Sequence, residues 1–229
     1  MADPHAALSA TLAPATERIL FRGFGFEVIR GRGGVFICPA SRASRQDPPK
    51  QFPVPSRLHL GCGNKRMDGF VNVDIVPSLA TDLVTSITSL PMFADGSVEE
   101  IRLSAVYEHL YRSERLAAIR EWHRVLRPGG TLMLSYIPDF DVIAQAFLER
   151  HPGILHATFN LEEVFLYSHG GYHPHHAQEQ LHKDLFTRQS VVAELEAAGY
   201  AVTRAEDVPY RDEPIALNLN IVASRQART

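Results

Sequence analysis

Arg57-Leu-His-Leu-Gly-Cys-Gly-Asn-Lys-Arg-Met-Asp-Gly-Phe-Val-Asn-Val-Asp74 joins a short apolar strand to a Gly-x-Gly turn and then to a second strand that ends on a carboxylate. Leu58 and Leu60 read as a buried strand. Gly61 and Gly63 lack a Cβ, so the chain can turn tightly there and bring its backbone close to a ligand. Val71 and Val73 alternate as strand residues do, and Asp74 follows at the C-terminal end, where two acceptor oxygens suit the two hydroxyls of a ribose. Taken singly, the glycines also fit a plain strand-to-helix turn and Asp74 a solvated strand end. In this order they point to a nucleoside site. A dinucleotide fingerprint would place a third glycine three residues after the second and an acid about 20 residues further on, because a full helix aims its N-terminus at the pyrophosphate. Arg66 stands at that third position, and Asp74 arrives too early for a full helix. The spacing therefore fits a nucleoside without a diphosphate and disfavours a nicotinamide-dependent oxidoreductase.

Outward from this segment, short apolar strands alternate with helical patterns, the mark of a doubly wound α/β sheet. Strands are expected at 58–60, 71–75, 82–84, 100–104, 131–137, 200–205 and 215–223. Leu116, Ile119, Trp122, Val125 and Leu126 give a helix within 113–126 its apolar stripe, and Pro128-Gly129-Gly130 stops it. A further helix over 142–149 has Asp139 as a possible cap, although Asp139 and Asp141 also stand where an acceptor or its ion could be met. Another helix follows Thr187, with Val191, Val192, Leu195 and Ala198 inward and Gly199 as its stop. Ligands of such sheets sit beyond the carboxyl ends of the strands, where each segment singled out here falls.

Residues 1–56 differ in character. A short helix is expected over Ala13–Leu20, a hairpin over 26–30 and 35–38 around Gly31-Arg-Gly-Gly34, and a Pro- and Ser-rich linker over 41–55. Through Arg66 there are ten Arg and Lys against four acids. This is a solvated basic face or an attractor of a phosphate-bearing acceptor. Over all 229 residues the net charge is −3 and 45% are hydrophobic, a globular composition with no call for a nucleic-acid partner. Two cysteines, Cys38 and Cys62, make no disulfide framework, and no stretch reaches the length of a membrane span. A cytoplasmic protein is expected; its oligomeric state is not legible.

Leu58-His-Leu-Gly-Cys-Gly-Asn-Lys-Arg66 followed by Gly69-Phe-Val-Asn-Val-Asp74 resembles the first motif of class I S-adenosylmethionine-dependent methyltransferases, especially a bacterial subgroup often associated with surface-glycan genes. Thr81 to Ser97 resembles the adenine-side segment, and Glu121-Trp-His-Arg-Val-Leu-Arg-Pro-Gly-Gly130 the junction after the fourth strand. The resemblance covers about 57–225. It implies a Rossmann-like, mostly parallel seven-stranded sheet whose last strand inserts antiparallel, as domain 57–229 behind a helix/hairpin extension at 1–56. It further implies S-adenosylmethionine as cofactor, with Gly61, Cys62, Gly63 and Asn64 around its methionine and ribose, Asp74 on the ribose hydroxyls, Ser86 and Ile87 beside adenine, and Ser104 toward the reactive end. Ser86 stands where the family usually has an acid, which weakens the adenine contact, and a noncatalytic binding module of the same fold is the rival reading.

Methyl transfer to an alcohol needs a group that takes its proton, and histidine suits that work near neutral pH. His109, in Tyr107-Glu108-His109, resembles the family's Glu-His pair and is the first candidate base, with local fixing of the loop as its plain alternative. His182, in His182-Lys183 before Phe186 and the last helix, is the second. The implied acceptor is a small molecule or glycan. His169, His173, His175 and His176 lack a fixed ligand spacing and no cysteine joins them, so Tyr167–His176 reads as a polar lid hinged at Gly170-Gly171, and no metal is expected.

Overall fold

The computed structural model describes residues 18–23, 26–31, 34–39, 54, 56–170 and 180–227. The chain divides into two compact units, residues 1–50 and 51–229. In the first, β1 (Arg18–Gly23), β2 (Phe26–Gly31) and β3 (Gly34–Pro39) form an antiparallel sheet in that order. The expected hairpin is β2 and β3, in a register that pairs Phe26 with Pro39 and Gly31 with Gly34. Residues 18–20, expected to end a helix, lie in β1. A helix of eight residues is marginal by itself, whereas Arg18-Ile-Leu-Phe-Arg-Gly gains a ladder of backbone hydrogen bonds against β2. The rest of that helix and the linker other than Val54 lie outside the described residues.

The second unit is built on a seven-stranded sheet. Its strands are β4 (Ser56–Leu60), β5 (Val71–Asp74), β6 (Leu83–Val84), β7 (Val98–Ser104), β8 (Leu126–Pro138), β9 (Tyr200–Val208) and β10 (Asn218–Arg225), in the order β6-β5-β4-β7-β8-β10-β9. The first five strands of that order are parallel, and β10 runs antiparallel to both β8 and β9. This is the Rossmann-like, mostly parallel arrangement expected. Leu58, Leu60, Val73, Ile101, Leu103, Leu132 and Leu134 are buried in the sheet, and Ile119, Trp122 and Val125 of α1 (Arg112–Val125) and Val191 and Leu195 of α4 (Arg188–Ala197) complete the main core.

Two further helices, α2 (Phe140–Leu148) and α3 (Leu161–His169), meet in a smaller cluster of Ile143, Ala146, Phe159, Tyr167 and Leu217. Asp139 is buried and caps α2, its carboxylate accepting from Asp141 N at 3.1 Å and from Arg188 N at 3.2 Å. The helix α3 escaped the sequence reading, although Asn160 with two acids in the next turn is an N-terminal signal. Its side chain accepts from the Glu162 and Glu163 amides at 2.9 and 3.2 Å. Tyr167 to His169 thus close a helix rather than open a lid. Gly170 ends it at φ +84°, packed so tightly that a Cβ there would meet Gln180 O at 2.9 Å and His182 Cδ2 at 3.2 Å. Gly171, His173, His175 and His176 lie outside the described residues. Among the described residues no helix is long and apolar enough to cross a membrane.

Candidate active site

The carboxyl ends of β4, β5 and β7 open onto one cavity of about 790 Å³. Parallel strands place their C-terminal turns on one rim, and the Gly-x-Gly turn after β4 forms part of it. Gly61 N and Cys62 N both donate to Val73 O, at 2.8 and 3.1 Å, which folds the turn onto β5. Gly61 has φ +69°, and a Cβ on it would come within 2.5 Å of Val106 Cγ2, so only glycine lets this turn lie against the loop after β7. No helix follows: residues 61–70 cross to β5 as turns and loop.

Asn72, fully buried, locks that crossing. Its side-chain carbonyl accepts from Met67 N at 2.8 Å and lies 3.0 Å from His59 Nδ1, while Nδ2 donates to Met67 O, Phe70 O and Asp82 Oδ2 at 3.0–3.2 Å. Arg66, at the third-glycine position, donates to Asp82 at 2.7 Å. Although burial opposes it, hydrogen bonds from Asn72 and Arg66 hold the Asp82 carboxyl at about 2. Nothing local to Asn72 marks this role, because its partners come from β4, from the 61–70 crossing and from the segment before β6.

Asp74 is fixed before any ligand arrives. Oδ2 accepts from Gly63 N and Oδ1 from Val76 N, each at 2.8 Å, and each oxygen keeps a second acceptor position. The carboxylate and the close-approach glycine therefore fit a ribose. Cys62 is nearly buried; burial pushes its thiol up against the opposing contact with Thr81, so it packs rather than reacts. Ser86 Oγ lies 2.8 Å from Thr88 Oγ1, and the Ile87 carbonyl accepts from buried Trp122 Nε1 at 2.8 Å. All the expected cofactor-side residues, Gly61, Cys62, Gly63, Asn64, Asp74, Ser86, Ile87 and Ser104, line the one cavity.

His109 lines it too, with Tyr111, Glu114, Tyr136, Lys183, Tyr210 and Arg211, none of which except His109 was named from the sequence as a wall of this cavity. Ala105, Tyr136 and Arg211 have φ between 52° and 61° although none is glycine, a costly backbone state gathered at one site. His182 lies behind His109, the two rings edge to face at 5.2 Å, and is not on the cavity wall. Burial and then the neighbouring His109 push His182 down to about 4. Burial pushes Glu108 up to about 8.

A buried ionic network holds this loop. Arg115 of α1 donates to Glu194 of α4 at 2.8 and 2.9 Å and to Asp184 at 3.0 Å, and Tyr107 OH donates to Glu194 at 2.6 Å. Lys183 N donates to the Glu108 carbonyl at 2.8 Å, which ties the 107–109 turn to the 182–184 segment.

A family model described as a methyltransferase domain matches residues 58–134. The fold resembles that of an S-adenosylmethionine-dependent methyltransferase from Methanosarcina mazei, at 18% identity over 76% of this chain and 93% of that one, with TM-score 0.51. Weaker likenesses are to an S-adenosylmethionine-dependent methyltransferase from Mesorhizobium loti (16% identity, 76% and 94% covered, TM-score 0.49) and to the 1,6-didemethyltoxoflavin-N1-methyltransferase of Burkholderia thailandensis (16%, 75% and 72%, 0.47). The latter structure has 1,6-didemethyltoxoflavin and S-adenosylhomocysteine bound. Comparison with curated proteins gave no match. The family match spans β4 to the body of β8 in the seven-stranded sheet, and the fold is like that of the Methanosarcina mazei protein.

Proposed function

We propose that the chain methylates a hydroxyl oxygen of a sugar, a glycan precursor or a related small metabolite, using residues 57–229, with 1–56 as an extension. The observation that carries this reading is His109 on the wall of the same cavity as Asp74, the glycine turn and Ser104. A cavity of about 790 Å³ lies high in the usual range for small-molecule sites, with room for a second ligand beside a nucleoside. Tyr111, Tyr136 and Tyr210 offer ring faces and hydroxyls to a polyhydroxylated ring, and Lys183 and Arg211 offer charge to an acidic substituent.

S-adenosylmethionine supplies a methyl group on a sulfonium. In our reading Asp74 accepts from both ribose hydroxyls, Gly61, Cys62, Gly63 and Asn64 border ribose and methionine, and Ser86 with the Ile87 amide borders adenine. Ser104 faces the reacting end, and His109 takes the acceptor proton, with His182 as the second candidate. A cytoplasmic setting without a nucleic-acid partner accords with the net charge of −3 and the two cysteines.

Replacing His109 by alanine should leave S-adenosylhomocysteine affinity, measured by calorimetry, within about twofold, while turnover on hydroxyl acceptors falls by about 10²–10⁴-fold. Unchanged turnover removes His109 as the base. Methylation confined to amines across a panel of sugars and amines overturns O-methylation, and binding of both adenosyl ligands without any turnover favours a binding module.

A further inference from the structure

Glu108 and His182 have properties that a proton-accepting histidine does not require. One carboxylate oxygen of Glu108 and one ring nitrogen of each of His109 and His182 all lie within 4.8 Å of one another. Glu108 is 2% exposed, and its Oε2 has no hydrogen-bond partner among the described residues. A carboxylate buried in this way is strongly disfavoured unless positive charge reaches it. His182 Nδ1 lies 2.7 Å from Tyr167 O, and His109 Nδ1 lies 3.3 Å from Leu181 O. A carbonyl oxygen only accepts, so Nδ1 of each ring carries the proton and donates, and Nε2 is the basic nitrogen. A backbone carbonyl that fixes the ring in this way is the usual support of a metal-ligating histidine. Glu108 and His182 also line a small cavity of about 10 Å³ together with Tyr167, Ser168 and Asp184, room for one water or one ion.

We propose that Glu108, His109 and His182 bind one divalent transition-metal ion of the zinc class, with its remaining position open toward the large cavity that His109 lines. Two imidazoles and a carboxylate with one open position make up a catalytic rather than a structural zinc set. Magnesium, which demands near-octahedral oxygen ligands, fits it poorly. Zinc–nitrogen distances of about 2.0–2.1 Å place tetrahedral ligands about 3.4 Å apart, so atoms that lie within 4.8 Å of one another need to close by at most about 1.4 Å on loading. Spacing along the chain gave no sign of the set, because the fold brings its members together from the loop after β7 and the segment before α4.

The role of the ion, though not its binding, rests on the O-methylation reading. An acceptor hydroxyl in the open position gives up its proton to solvent more readily. Its oxygen then forms the bond to the methyl carbon while the carbon–sulfur bond breaks with its electron pair remaining on sulfur. In the loaded enzyme His109 is a ligand; in the ion-free chain it takes the proton itself.

The test is titration of chelator-stripped full-length chain with Co²⁺, following the visible absorption of four-coordinate cobalt, with Zn²⁺ competition and equilibrium dialysis for stoichiometry. One ion per chain with that spectrum is expected, at least 100-fold weakened in both Glu108→Gln and His182→Asn and retained in the paired His175→Ala, His176→Ala variant. Calorimetry with S-adenosylhomocysteine reports the fold of each variant, and if Glu108→Gln does not fold, His182→Asn decides. No stoichiometric binding, binding indifferent to Glu108→Gln and His182→Asn, or binding lost in the paired variant each overturns the site. Equal turnover by stripped and zinc-loaded enzyme overturns the role. Failure to methylate any hydroxyl acceptor in either form refutes the O-methylation reading and leaves the cobalt spectrum unaffected.

Discussion

Asp74→Ala should weaken S-adenosylhomocysteine binding by about a hundredfold. Each Asp74 oxygen already accepts one backbone amide, from Gly63 or Val76, and has one position left for a ribose hydroxyl. Hydrogen bonds to a charged acceptor contribute about 1.5–3 kcal/mol each. Asp74 is half-buried, and water competes for it, which favours the lower end of that range. Two such bonds then amount to about 3 kcal/mol, and each 1.4 kcal/mol is tenfold in Kd. The freed Gly63 and Val76 amides are exposed enough to turn to water, so the turn itself should lose little. A thermodynamic cycle isolates the ribose contribution: calorimetry of wild type and variant with S-adenosylhomocysteine and with its 2′,3′-dideoxy analogue. The analogue should bind wild type weakly and lose almost nothing further in the variant. An equal loss for both ligands would refute the reasoning, because it would assign Asp74 to shaping the loop instead of holding the ribose.

The two glycines of the turn should separate in denaturant melts. Gly61→Ala meets Val106 at 2.5 Å as well as a left-handed φ and should cost about 2–4 kcal/mol, whereas Gly63→Ala, with open space around it, should cost only the conformational 1–2 kcal/mol; equal losses would disprove the close approach. Arg115→Met leaves Glu194 and Asp184 without their shared cation and should destabilise by about 3–5 kcal/mol, with a loss under about 1 kcal/mol counting against the network. Asp82 has a folded value of about 2, below its unfolded one, so its contribution is present above about pH 4 and is lost as pH falls through 2. Asp82→Asn should therefore flatten the acid limb of the stability profile in that window, and an unaltered limb would show that Arg66 and Asn72 do not bias its titration.

Strand identity was legible because Leu58-His-Leu60 and Val71-Asn-Val73 are short runs rich in apolar residues and bounded by turn residues, and the sheet buries His59 and Asn72 on its other face as well. That Gly61, Asp74 and Ser104 share one cavity wall was legible for a related reason: they sit at strand ends, and strand ends share a rim. The wall that we propose faces the acceptor was not. Tyr136, Tyr210 and Arg211 come from the end of β8 and the loop after β9, and nothing local to those segments marks them as neighbours of His109. Nor did composition separate α3 from its surroundings, since its capping signal at Asn160 lies beside a histidine-rich run that reads as loop. The strand at 18–20 was missed because a run so short has no decisive period until β2 pairs with it.

The place of β10 has a consequence for biosynthesis. It follows β9 in sequence, yet it lies between β8 and β9, and among the described residues β9 pairs with no other strand. Until residues 218–225 leave the ribosome, the long edge of β8 is open and β9 has nowhere to dock, so the nascent sheet presents an unpaired edge to any passing strand. Trimming the chain back past 218 should make it more prone to aggregate, even though every strand that opens onto the large cavity has already been made.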